Sequence, residues 1–256
     1  MKYFFSILFI VTVCMLLGAP GSIAQSAKFG SDRFISTRGD TLPYRLLVPD
    51  ANNFRRYPLI IFLHGSGERG NDNEAQLKWG AMNFASDENM FRFPAYVVAP
   101  QCPSGQNWAN LSRNGTQLSL LPAPSSAMAS LFDLIEKLKK NLRVDTTRIY
   151  ITGLSMGGFG TYDALMRHPA MFAAAVPVCG GGDTSKAAVI GQIPMWIIHG
   201  AEDPAVGPAM SYDMVKALTR SGARPGFTMY PEVGHFSWIG AYSDQQVMAW
   251  LFRQHK

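Results

Sequence analysis

The chain is poor in charge. Asp, Glu, Lys and Arg make up 16% of its 256 residues, against 47% hydrophobic residues. That balance excludes a disordered, self-repelling polymer and fits one globular domain with a sizeable core. There is no Lys/Arg cluster of the kind that binds nucleic acid, so the formal net charge of +5 reads as solubility. No H-E-x-x-H segment and no Cys/His spacing of a zinc site occur, which sets metal-assisted hydrolysis aside, and no cofactor is implied. Repeats and low-complexity linkers are missing too. Cysteine is scarce, with only Cys14, Cys102 and Cys179.

Long apolar runs are also lacking. The run from Phe4 to Leu17 is about 14 residues, short of the roughly 20 that a membrane span needs. With Lys2 before it and the small-x-small site Ser22-Ile23-Ala24 after it, the run reads as a secretory signal peptide over residues 1–24. An uncleaved anchor is the competing reading. Lipid attachment at Cys14 is disfavoured because Val13 is not small. The expectation is export to the periplasm or beyond, no stable membrane insertion afterwards, and a single catalytic domain over residues 25–256. Cleavage removes one charge, Lys2.

What is present is alternation. Phe29–Ser36 and Leu42–Val48 flank Thr37-Arg38-Gly39-Asp40 and predict an antiparallel hairpin. Its Arg-Gly-Asp is explained by the turn alone. Continuous apolar runs follow at Leu59–Leu63, Tyr96–Ala99, Ile149–Thr152, Ala173–Val178, Met195–Ile198 and Phe227–Tyr230. Unbroken hydrophobicity marks strands buried on both faces. Helical patterns lie between several of them. The clearest runs from Met128 to Leu142, with Ser125 or Ser126 as cap. Others start at Met156, near Pro208 and near Ser243. The fold class is therefore α/β, with a mostly parallel central sheet and helices on both faces. Residues 101–124 read as one long irregular stretch. Following a strand on the side where the Gly153–Gly158 turn opens, it is expected to wall a substrate cleft.

The strongest motif is Gly153-Leu154-Ser155-Met156-Gly157-Gly158, a G-x-S-x-G turn between a strand and a helix. Its glycines fit where a side chain would strike a neighbouring backbone. Asp203 and His235 follow in the order serine, acid, histidine. A serine hydroxyl needs a base to become a nucleophile, and the base needs an acid to hold its tautomer. The expected catalytic set is Ser155, Asp203 and His235, with Glu202 as the acid that might stand in for Asp203. The oxyanion needs preorganised N–H donors. Met156 N–H is one, and Ser66 N–H, in His64-Gly65-Ser66-Gly67-Glu68-Arg69-Gly70, is the choice for the second over Gly67. A phosphate-loop reading of that segment fails for want of a Gly-Lys-Ser/Thr ending. His64 and His199, each ending a strand in a His-Gly pair, read as loop-orienting residues. Glu68 and Arg69 are expected to pair and stiffen the loop. Trp108 is expected to bind substrate by stacking, while Trp79 and Trp238 read as core or rim aromatics.

On these residues the chain resembles the α/β-hydrolase superfamily. More narrowly it looks like the secreted bacterial esterases related to dienelactone hydrolase and phospholipase/carboxylesterase, the group also labelled predicted peptidases. The matching segments are Leu63–Gly70, Ala99–Pro103, Gly153–Gly158, Pro177–Gly182, His199–Val206 and Gly234-His235. The resemblance implies about eight strands with the Gly153–Gly158 strand central and the N-terminal hairpin at one edge. It implies no large lid around Gly180–Gln192, and hydrolysis of small-molecule or glycan-linked esters, feruloyl and acetyl esters of plant polysaccharides among them. In that strand order Cys102 and Cys179 stand three spacings of about 4.8 Å apart, beyond disulfide reach, so two buried free thiols are expected. Two other readings compete. A serine peptidase of the prolyl-oligopeptidase type shares the catalytic domain but usually carries a long propeller. A catalytically idle binding protein would not need all of Ser155, Asp203 and His235.

Overall fold

The structure is a computed structural model and describes residues 25–49, 54–115 and 117–256. The leader expected at 1–24 lies outside the described residues. The first two strands, β1 (Phe29–Ile35) and β2 (Thr41–Leu47), form the expected antiparallel hairpin. The fully apolar segments become β3 (Tyr57–Leu63), β4 (Tyr96–Pro100) and β8 (Ala174–Val178), in which every residue is buried. Two short strands, β5 (Leu111–Asn114) and β6 (Gln117–Leu120), pair only with each other. The long β7 (Val144–Leu154), β9 (Trp196–Gly200) and β10 (Gly226–Tyr230) complete the set.

Eight of these strands make one sheet in the order β1-β2-β4-β3-β7-β8-β9-β10. From β4 to β10 all neighbours are parallel, and the hairpin joins antiparallel at one edge through β2. This is the α/β-hydrolase arrangement, with β7 near the centre.

Helices cover both faces, which is why the strands are apolar without alternation. On one face, Leu59, Ile61 and Ile151 pack under α2 (Ser126–Asn141), α3 (Met156–Arg167) and α5 (Ala209–Arg220), through Leu131, Leu165 and Met214. On the other, Ile60, Phe62 and Tyr150 pack under α6 (Trp238–Ser243) and α7 (Gln245–Phe252). The remaining helices, α1 (Asp87–Arg92) and α4 (Ala187–Ile190), are short. Helix α2 starts where Ser125 Oγ accepts the Met128 N–H at 3.0 Å, and Lys139 and Lys140 fall in its last turn, where the helix dipole favours cations. No helix among the described residues is long and apolar enough to cross a membrane.

The structure departs from the expectation in residues 101–124. The stretch is not irregular throughout, because β5 and β6 form a hairpin within it. Each strand is only four residues and mostly exposed, so neither shows a buried-strand pattern in sequence. Cys102 and Cys179 are buried free thiols, and β3 and β7 lie between the strands that carry them.

Candidate active site

Ser155 sits between the end of β7 and the start of α3 with φ 53° and ψ −117°, a conformation that a side chain rarely adopts. Hydrogen bonds hold it there. Its N–H donates to Val178 O at 3.0 Å, and Phe159 N–H donates to Ser155 O at 3.1 Å. Close backbone packing explains the glycines. A Cβ on Gly157 would stand 1.9 Å from Leu63 O, one on Gly153 2.4 Å from Gly157 O, and one on Gly158 2.5 Å from Val178 O. Any side chain there would push the helix off β3 and β8.

The loop after β10 brings His235 over the sheet edge. It lies directly on the end of β9, since a Cβ on Gly200 would meet Gly234 O at 2.2 Å. His235 Nε2 is 2.9 Å from Ser155 Oγ, and Nδ1 is 2.7 Å from Asp203 Oδ2. Asp203 is 4% exposed, and its Oδ1 accepts the N–H groups of Ala205 and Val206, each at 2.9 Å. A carboxylate only accepts, so Nδ1 of His235 carries the proton and Nε2 is free to take one from Ser155. Glu202, the alternative acid, is solvent-exposed.

His64 organises the opposite side. It is 1% exposed, and burial lowers its pKa to about 4, which keeps it neutral. Its Nδ1–H donates to Gly65 O at 2.6 Å, and Nε2 accepts Cys102 N–H at 2.8 Å. The loop that follows carries Ser66 into the same cleft as Ser155, Met156 and His235. Gln101 braces this loop, donating to Glu68 O at 3.1 Å and accepting Asn73 N–H at 2.7 Å. Glu68 and Arg69 do not pair as expected. Glu68 turns inward, where burial raises its pKa, whereas Arg69 donates to Asn107 Oδ1 across the cleft and its Nε is buried without a partner.

Trp108 corrects a second expectation. It is fully buried, its indole N–H donates to His64 O at 3.2 Å, and its ring lies edge-on to His64 at 5.3 Å. No face is left for a substrate, so Trp108 is a core prop under the loop that carries Ser66. Trp238 is buried edge-on against His235 at 5.1 Å, and Trp79 packs on it at 6.1 Å, as rim aromatics do.

The cleft holds about 530 Å³. Its wall is the expected one, with Asn107, Leu111, Arg113 and Leu118 facing Ser155. Arg69 and Arg113 line it and no carboxylate does, which suits a transition state that gains negative charge. The wall is fastened by groups not foreseen from sequence. Asp163, on α3, accepts Asn110 N–H at 3.0 Å and pairs with Arg167 at 2.7 Å. Arg167 in turn donates to Leu121 O and Pro122 O, each at 3.0 Å, and Asp183 accepts Leu120 N–H at 2.9 Å. In sequence, Asp163 and Arg167 look like any surface pair one helical turn apart. A second hollow of about 580 Å³ shares only Leu118 with the cleft and contains none of the Ser155, Asp203 and His235 set.

Comparisons with known proteins bear on the fold and the family. The chain is 28% identical to poly(3-hydroxyalkanoate) depolymerase C of Paucimonas lemoignei, over 63% of this chain and 44% of that one. It is 25% identical to a bifunctional acetylxylan esterase/xylanase of Neocallimastix patriciarum, over 64% of this chain and 21% of that one. The chain thus spans less than half the length of these two relatives. Among solved structures, a thermostable esterase superposes with a TM-score of 0.85 at 39% identity, covering 91% of this chain and 64% of that one. A ferulic acid esterase superposes at 0.66 with 18% identity, covering 88% of this chain and 97% of that one, a likeness of fold. The model of the dienelactone hydrolase family matches residues 97–241, a stretch that includes Ser155, Asp203 and His235, and the chain belongs to that family.

Proposed function

We propose that the protein is an exported serine esterase that cleaves carboxylic esters through an acyl-enzyme, with Ser155 as nucleophile, His235 as general base and acid, and Asp203 as the carboxylate that orients His235. One observation carries this reading: the continuous line from Ser155 Oγ through His235 to Asp203, with 2.9 Å and 2.7 Å separations, at the mouth of an open cleft. Ser155 Oγ attacks the ester carbonyl as its proton passes to His235 Nε2. Asp203 stays anionic and stabilises the imidazolium. The N–H groups of Ser66 and Met156 receive the oxyanion. His235 then protonates the departing alcohol, and a water molecule repeats the sequence to release the acid. The leader at 1–24 directs export, and residues 25–256 form the catalytic domain.

The substrate reading is an acyl, feruloyl or acetyl ester, free or attached to a polysaccharide. The relatives named for acetylxylan and polyhydroxyalkanoate chemistry, with the thermostable esterase at 39% identity, support esters over peptides. The test is a panel of p-nitrophenyl esters, methyl ferulate and aminoacyl-nitroanilides, with a fluorophosphonate to label the nucleophile. Ester turnover with a single adduct on Ser155 is expected. Turnover of the anilides alone identifies a peptidase, and no turnover with no adduct identifies an idle fold.

A further inference from the structure

A second histidine touches the acid. His199, at the end of β9, is fully buried, and its Nε2 lies 3.3 Å from the same Asp203 oxygen that faces His235. Nε2 of His199 also lies 2.8 Å from Val206 O, so both of its neighbours are acceptors and it must carry a proton. Nδ1 faces Ser211 Oγ at 2.7 Å, on α5, and that hydroxyl reaches Gly180 O at 3.3 Å. Burial holds the His199 pKa below its ordinary value against the opposite pull of Val206 O and Asp203, so the ring is neutral; the single Ser211 proton then goes to Nδ1 at 2.7 Å rather than to Gly180 O at 3.3 Å.

We propose that His199 is a positioning residue for the reaction inferred above: a neutral imidazole that shares the Asp203 oxygen with His235, fixing the carboxylate and drawing off part of the charge His235 would otherwise take. The geometry leaves Asp203 little freedom. Oδ1 accepts two backbone N–H groups and Oδ2 accepts His235 Nδ1–H, while His199 Nε2, whose proton lies chiefly toward Val206 O, stands 3.3 Å from the same Oδ2. An oxygen divided between two donors binds each less strongly than it would bind one. With His199 removed, Oδ2 belongs to His235 alone. The imidazolium form of His235 is then stabilised, and the neutral base appears only at higher pH. The carboxylate also loses one of the donors that fix its plane, so His235 is aimed less well at Ser155. Other titratable or charged groups on the elements around this corner include Cys179, beside Asp203 just after β8, and Arg69 and Arg113 across the cleft, with Glu202 and Glu232 exposed on its two loops. All of them remain in the variants below.

The experiment compares kcat and KM against pH for the wild type, His199→Phe and His199→Gln. In His199→Phe, kcat should fall by roughly ten- to a hundredfold with KM nearly unchanged, the scale expected of slight misplacement. The acid limb of its pH profile should move to higher pH. His199→Gln keeps an N–H donor and should lie between the two on both measures. A folded His199→Phe enzyme with wild-type kcat and acid limb overturns the proposal, as does equal loss in both variants with an unmoved limb. The His235 ring resonances, titrated in the Ser155→Ala protein with and without His199→Phe, should move in the same direction. That readout needs no turnover, so it separates failure of this proposal from failure of the esterase reading. Should His199→Phe not fold, Ser211→Ala frees Nδ1 of His199 and should move the limb the same way by less. An unmoved limb there also overturns the proposal.

Discussion

Two regions meet at Ser155 and are built on opposite principles. At the acid–histidine corner, Asp203 is 4% exposed and has hydrogen-bonding partners on both oxygens. The loop that carries His235 rests directly on Gly200, where a Cβ would stand 2.2 Å from Gly234 O. Across the cleft, the β5–β6 hairpin is mostly exposed and pairs with no strand of the main sheet. It is held at its roots, by Asp163, Arg167 and Asp183, and Asn114, Gly115 and Gln117 are exposed. The proposed chemistry needs close aim, and it falls where both oxygens of the carboxylate are committed. The cleft wall is a clamped cantilever, where side chains can change without disturbing the core.

The largest effect should come from breaking the corner. Ser155→Ala removes the proposed nucleophile and should lower kcat on the order of 10⁶-fold, with the melting temperature nearly unchanged or slightly raised. Asp203→Asn should lose about 10⁴-fold, because an amide favours the wrong His235 tautomer. Both are read from kcat on a p-nitrophenyl ester. If Asp203→Asn keeps most activity while Glu202→Gln destroys it, the acid is Glu202 and the corner has been misread.

The same contrast explains what was legible in sequence. Gly153, Gly157 and Ser155 stand out because tight backbone contact and an unusual φ leave few alternatives at those positions. The parallel strands are legible because burial on both faces removes polar residues from them. The hairpin within the wall is not legible because strands of four mostly exposed residues leave no hydrophobic period. Trp108 was assigned to the cleft because an aromatic residue in a loop looks available for stacking. It turns inward because Gly160 leaves it room, with Trp108 Cβ only 2.5 Å from where a Cβ would be, and because the His64 carbonyl takes its N–H. His199 looked like a turn residue because its contact with Asp203 depends on a ring orientation that spacing does not reveal.

A smaller effect should follow from loosening the cantilever. The side chains of Asp163 and Arg167 are 0% and 8% exposed, so Arg167→Met leaves a buried carboxylate unpaired and should cost roughly 3–5 kcal/mol. Burial already raises the Asp163 pKa. A raised carboxyl pKa penalises the charged form of the fold, so the cost is greatest at neutral pH and shrinks as acid protonates Asp163. Urea melts between pH 7 and pH 5 should show the gap from wild type narrowing. KM for methyl ferulate should rise while kcat for p-nitrophenyl acetate stays nearly constant. A change in kcat without a change in KM would mean that the wall belongs to the catalytic corner after all.

The smallest of these effects concerns His64, which ties the oxyanion loop to the root of the wall through Cys102 N–H and the Trp108 indole. Burial lowers its pKa from 6.5 to about 4. The unfolded chain therefore takes up a proton at a higher pH than the fold does. Stability from this group is complete above the unfolded value and is lost as pH falls towards the folded one, for a total of about 3 kcal/mol. His64→Gln should be less stable than wild type at pH 7, since the Nδ1 and Nε2 hydrogen bonds are not both kept. It cannot gain a proton, however, so its stability should fall less steeply between pH 6.5 and about 4, and the gap between the two proteins should narrow on acidification. A gap that stays constant across that range would place the acid sensitivity elsewhere. It would also mean that the loop carrying Ser66 is joined to the wall by something other than a neutral, buried His64.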